Sequence, residues 1–153
     1  MCIRDSSSAA SAAGLIDTGA ILAILETGDE WHSACLEALL SVRIPLLTTG
    51  AVLTETFHLT GKNPHNMEKA WRFLRSGAVT VHPIQDSDLH DLHALMTQYA
   101  DRPMDFADAT LVHLAARERL STILTIDHDN FETYRLPGRK IHHSGEANLK
   151  LRV

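Results

Sequence analysis

Two aspartates, Asp105 and Asp108, stand one helical turn apart in MDFADATLVHLAA (residues 104–116), and this run limits the fold more than any other stretch. At helical spacing they share a face. That face continues through Val112 and Ala116, which leaves Thr110, His113 and Arg117 expected on the opposite, solvent side. Carboxylates heading an apolar stripe repel one another and lose hydration. The remedies are a raised pKa, a basic partner or a bound cation, and the pattern is read here as a site for a divalent cation.

Composition bounds what such a helix can belong to. A chain of 153 residues, 44% hydrophobic and 22% charged, has material for one globular core. No run approaches the roughly 18 unbroken apolar residues of a membrane helix. Cys2 and Cys35 make no disulfide framework, which points to a reducing, cytoplasmic setting. A net charge of -5 argues against a broadly basic nucleic-acid coat, and 5% aromatic residues against an extended base-stacking platform. Neither excludes a nucleic-acid substrate, because a metal site without its ion is itself strongly negative.

Residues 1–13, MCIRDSSSAASAA, have neither the apolar stretch nor the charge of a signal peptide and are set apart as a leader outside the fold. From residue 14 the pattern alternates. Strands are expected at 14–18, 44–48, 79–84 and 122–126, with a weak fifth at 140–142; helices are expected at 20–26, 30–42, 49–60, 66–75, 87–99 and 105–120. The expected domain covers residues 14–143, followed by a tail at 144–153. Strands separated by helices imply a parallel sheet with helices on both faces, an α/β/α arrangement. In strand order 3-2-1-4-5 the first and fourth strands are neighbours, and ligands bind beyond their carboxyl ends, where the order reverses.

Asp17 ends the first expected strand and Asp127 the fourth, Glu55 follows the second, and Asp105 and Asp108 open the helix leading into the fourth. Five acids far apart in sequence thus meet at one end of the sheet. Each has a plainer reading. Asp17 and Asp105 are also good helix N-caps, Glu55 on the row Val52, Glu55, Leu59 is also a surface acid, and Asp127 sits in an ordinary polar loop. An all-oxygen set suits Mg2+ or Mn2+ rather than zinc, and the ten histidines show no convincing ligand spacing. A pair of such ions activates water for phosphodiester hydrolysis. Thr18 and Thr125 stand near the strand-end aspartates, either to orient ligands or simply as β-branched strand residues.

Positions 14–143 resemble a PIN domain close to the bacterial VapC-type toxins, through LIDTGAILAIL, LTTGAVLTET, MDFADATLVHLAA and ILTIDHDNFETYR in that order. The resemblance implies a metal-dependent ribonuclease, often a homodimer, inhibited by a cognate antitoxin. It assigns Asp17, Glu55, Asp108 and Asp127 to an acidic quartet with Asp105 auxiliary. Two departures stand out: Gly19 where many relatives carry a hydroxyl, and Asn130 where they often carry aspartate.

RNA approaching such a pocket needs cations at the rim. Arg135, Arg139 and Lys140 cluster after Asp127, and Lys69, Arg72 and Arg75 share one expected helix, where simple solvation is the plainer role. Leu22, Leu25, Trp31 and Leu36 serve either the core or a partner groove. The competing functions are a catalytically silent RNA- or protein-binding module and a receiver-like domain. The second lacks the lysine it would need near the last strand.

Overall fold

The computed structural model describes residues 14–102 and 104–126. Four strands, β1 (Leu15–Ile16), β2 (Leu46–Thr49), β3 (Val79–His82) and β4 (Ile123–Leu124), form a parallel sheet in the order β3-β2-β1-β4. This is the expected order as far as the described residues reach; the fifth strand lies outside them. Successive strand residues point to opposite faces, yet both residues of β1 and all four of β2 are buried. Both faces of the sheet are therefore covered, as a parallel sheet requires. β3 lies at the edge, where Thr80 and Val81 reach solvent.

The covering helices are α1 (Thr18–Leu25), α2 (His32–Ser41), α3 (Gly50–Thr60), α4 (Pro64–Leu74), α5 (Leu89–Gln98) and α6 (Phe106–Arg117). α1 packs on α2, α3 and α4, whereas α6 packs on α5, α3 and β2. Local chemistry sets where four of them begin. Asp17, Thr49, Asn63 and Asp105 each accept a hydrogen bond from a first-turn N–H, and Pro64 occupies a first-turn position where its missing N–H costs nothing. The second and third helices of the sequence reading shift by about one turn or less at their ends, as helix ends do.

α6 departs from the expected face assignment. Ala107, Ala109, Thr110, Leu111, Val112, Leu114 and Ala115 are all buried, so the helix is enclosed on more than one side. Thr110, expected in solvent, is wholly buried, whereas Ala116, expected inside, is exposed. His113 is half-buried, whereas Arg117 keeps the expected exposure. His113 Nε2 donates to Asp88 at 3.0 Å and Arg117 Nη1 at 3.4 Å, which ties α6 to the turn before α5. The Gln85 backbone N–H, reinforced by His113, holds the Asp88 carboxyl below the usual range.

Strand spacing between β1 and β4 depends on a residue without a side chain. A Cβ on Gly14 would lie 2.4 Å from the Thr122 carbonyl oxygen, which accepts the Leu15 N–H at 2.9 Å. Gly14→Ala is expected to destabilise the fold by about 1–3 kcal/mol, read as a lowered urea midpoint.

Candidate active site

The chain runs from β1 outward to β2 and β3, then returns to β4 on the other side of β1, so the strand order reverses between β1 and β4. A pocket of about 290 Å3 opens beyond their carboxyl ends, and Asp17, Thr18, Glu55, Asp105 and Asp108 line it. Four of the five acids named from sequence are thereby brought together. Asp127 and the rim candidates Arg135 and Arg139 lie outside the described residues.

Each acid is held by the element that carries it. Asp17 is buried, 7% exposed; its Oδ1 accepts the Ala20 N–H at 2.9 Å and its Oδ2 accepts the hydroxyl proton of Thr125. Capping and pocket duty, which stood as alternatives for Asp17, coincide in one carboxylate. Thr125, for which a plain strand role was the favoured expectation, orients that carboxylate across the β1–β4 boundary. Asp105 behaves likewise: its Oδ1 accepts the Asp108 N–H at 2.7 Å while the residue lines the pocket. That same bond fixes the turn from which Asp108 projects.

Glu55 stands in the row Val52, Glu55, Leu59 of α3, and all three line the pocket. Burial, and then the negative charge of Asp105, push its carboxyl above the usual range, against the pull of a hydrogen bond with Thr18. Thr18 is itself buried, its hydroxyl 3.4 Å from the Val52 carbonyl. Gly19 answers one departure noted in the sequence: a Cβ there would lie 2.8 Å from Ile126, so β4's exit occupies the space of a side chain. Lys69 pairs with Glu26 at 3.9 Å, and Arg72 on α4 and Arg75 at its C-cap are exposed. Leu22 lines the acidic pocket, Leu25 is buried, Trp31 packs on the core and Leu36 is partly exposed.

A buried hydroxyl relay joins the two acid-bearing helices and carried no signal in the sequence. Thr110 Oγ1 donates to Ala107 O at 2.7 Å, which commits its only proton. The 2.7 Å bond between Thr49 and Thr110 must then run from the Thr49 hydroxyl, whose oxygen in turn caps α3. Both hydroxyls are fully buried, so the contact locks the start of α3, with Glu55, against the start of α6, with Asp108.

The donor chemistry fits a hard divalent cation. Among the described residues the lining offers oxygen donors and no Lys, Arg or His, and Glu55 ionises against burial and a neighbouring negative charge. Among the described residues no three Asp, Glu, His or Cys side chains form a ready-made metal cage. Mg2+ does not require one, since it keeps several waters and binds through one or two carboxylates with substrate phosphates completing its shell.

The sequence profile of the PIN domain matches residues 14–136, most of the chain. The chain belongs to the PIN-domain family. It is 31% identical over 123 residues to ribonuclease VapC26 of Mycobacterium tuberculosis (strain ATCC 25618 / H37Rv), an alignment covering 79% of this chain and 91% of that one. The fold is similar to the crystal structure of Mycobacterium tuberculosis VapC20, a toxin that cleaves the sarcin–ricin loop. The TM-score is 0.71 at 20% identity, over 78% of this chain and 94% of that one.

Two outcomes follow from the site geometry. Glu55's raised pKa means that stability is lost as pH climbs from the ordinary glutamate value to the raised one, because the unfolded chain gives up its proton first. In metal-free buffer Glu55→Gln is expected to raise the urea midpoint near pH 7 and to leave it unchanged near pH 3, below both values. For the relay, Thr110→Val and Thr49→Val are each expected to cost about 1–3 kcal/mol by stranding a buried hydroxyl or carbonyl. The double variant is expected to cost less than the sum of the two, with a coupling of about 0.5–3 kcal/mol in a urea-melt cycle.

Proposed function

We propose that this protein is a metal-dependent endoribonuclease acting as the toxin of a toxin–antitoxin pair. The observation that carries the reading is the convergence of Asp17, Glu55, Asp105 and Asp108 on one pocket at the strand-order reversal. Membership of the PIN-domain family and likeness to a VapC ribonuclease support it. Asp17, Glu55, Asp108 and Asp127 form the catalytic set in this proposal, and Asp105 is their auxiliary.

Bound Mg2+ or Mn2+ would supply the positive charge that makes water nucleophilic and steadies the phosphate oxygens. The chain's own residues do the rest. Asp17, fixed by the α1 N-terminus and by Thr125, presents its carboxylate in one orientation, and Asp108 faces the same pocket from α6. Glu55, whose carboxyl is held above the usual range, is the group suited to accept the proton of the attacking water. The water oxygen forms a new bond to phosphorus as the bond to the departing ribose oxygen breaks. Thr18 keeps Glu55 oriented, and Arg135 and Arg139 are assigned to the phosphate backbone at the rim.

An enzyme that cuts RNA in the cell that makes it needs an inhibitor, and a cognate antitoxin protein is proposed for that role, with the nuclease a homodimer in the cytoplasm. Among the described residues no helix is long and apolar enough to cross a membrane. Residues 14–143 are proposed as the nuclease domain.

Cleavage of a mixed RNA pool is expected with Mg2+ or Mn2+ and not with EDTA. Asp17→Asn combined with Asp108→Asn is expected to lower the rate by at least about a hundredfold, measured by gel on labelled RNA. Undiminished cutting by that double variant sinks the proposal, and absence of cutting by the parent chain with either metal favours a silent binding module instead.

A further inference from the structure

The acidic pocket shares a wall with a second, larger cavity. A space of about 870 Å3 lies between α3 and the first turn of α6, over the carboxyl end of β3, and Glu55, Asp105 and Ala107 line both. Its volume is that of a small-molecule site. Away from the shared acids its character changes: Val81, Pro83, Ile84 and Phe106 are apolar, and His58 and His82 supply ring nitrogens. Phe106 is 44% exposed although it follows Asp105 directly. An aromatic ring left nearly half exposed beside a charged residue offers a face to a ligand.

A phosphodiester seated at the acids carries a base on each side of the bond to be cut, and a neighbouring base has to be accommodated. Paired A-form RNA cannot supply it, because its base edges are held in the stack, whereas an unpaired base can be splayed out and stacked on an aromatic ring. We infer that the 870 Å3 cavity receives one unpaired nucleobase adjacent to the scissile phosphate, stacked on Phe106, with His58 and His82 hydrogen-bonding its polar edge. The inference rests on the nuclease reading and adds to it Phe106, His58 and His82 as the residues that recognise the base beside the bond to be cut. The continuity of the two cavities favours RNA here, since a nucleotide places an aromatic base and a cation-binding phosphate side by side, as the apolar and acidic walls are placed. The weakly hydrated base brings its flat apolar faces to Phe106 and Val81, while its phosphate stays at the acids with the cation.

The test uses short single-stranded RNAs that carry a fluorescent purine analogue at one position each. They are titrated in Mg2+ against full-length Asp108→Asn protein, so that no strand is cut. One position is expected to show quenched emission on binding. Adding Phe106→Leu, which keeps apolar bulk and loses the ring, is expected to abolish that quench and weaken binding about tenfold, with an unchanged circular-dichroism melt showing that the chain is folded. Adding His58→Ala is expected to keep the quench while flattening the preference among bases at that position. The inference is overturned if no position is quenched, or if Phe106→Leu leaves quench and affinity intact. It is equally overturned if Phe106→Leu turns a dimer into a monomer by sedimentation without altering RNA affinity, because the cavity would then belong to a second copy of the chain. A parent chain that binds and quenches these RNAs yet cuts none with Mg2+ or Mn2+ sinks the nuclease reading and leaves the base site standing.

Discussion

The bond from Thr125 to Asp17 is the contact on which the geometry of the site depends. It spans the one boundary in the sheet where consecutive pairing in sequence is broken, since β1 and β4 are neighbours in space and far apart along the chain. A parallel sheet leaves a crevice at such a boundary because the connections on either side turn away from each other. What would be a gap is lined by a carboxylate with two independent anchors, one from its own helix and one from the opposing strand. Two anchors remove the rotamer freedom that a surface aspartate keeps, so the cost of orienting it is met at folding rather than at binding.

The other acids extend the same logic through the helices. α3 and α6 carry Glu55 and Asp108, and each starts at a residue whose side chain caps it, Thr49 and Asp105. The two starts are then joined through Thr49 and Thr110, both wholly buried, so bulk solvent does not reach the bond to compensate its loss. Burial of a carboxylate and the approach of a like charge both resist folding, and Glu55's raised pKa records that resistance, burial first and Asp105 second. The fold withstands it because the Thr49 cap and the bond between Thr49 and Thr110 are neutral hydrogen bonds between buried groups.

Much of this architecture was legible in the sequence for a physical reason. Strands buried on both faces read as unbroken apolar runs, and in GLIDT and IPLLTT those runs stop at a polar residue that is also a helix cap. The alternation of such runs with helical stretches carried the strand order and the meeting place of Asp17, Glu55, Asp105 and Asp108. Reading α6 as a helix with one inner stripe failed at Thr110 and Ala116, because a helix enclosed by α3, α5 and β2 has several inward sides and a hydroxyl can be buried when its proton is committed. Periodicity alone does not separate a buried threonine from an exposed one. The relay was invisible for the same reason: its partners are 61 residues apart and neither residue type announces a tertiary partner.

Setting cap and site against each other was also too narrow a choice for Asp17 and Asp105. A carboxylate has two oxygens, and capping engages one of them at a fixed angle, which aims the other. An N-cap aspartate at the end of a buried parallel strand is therefore preorganised in direction for holding a cation, and the residue that starts the helix is for that reason the best one to build a site from. Glu55 is the contrasting case: it lies more than a turn inside α3, where no cap bond aims it, and burial and the charge of Asp105 raise its carboxyl above the usual range.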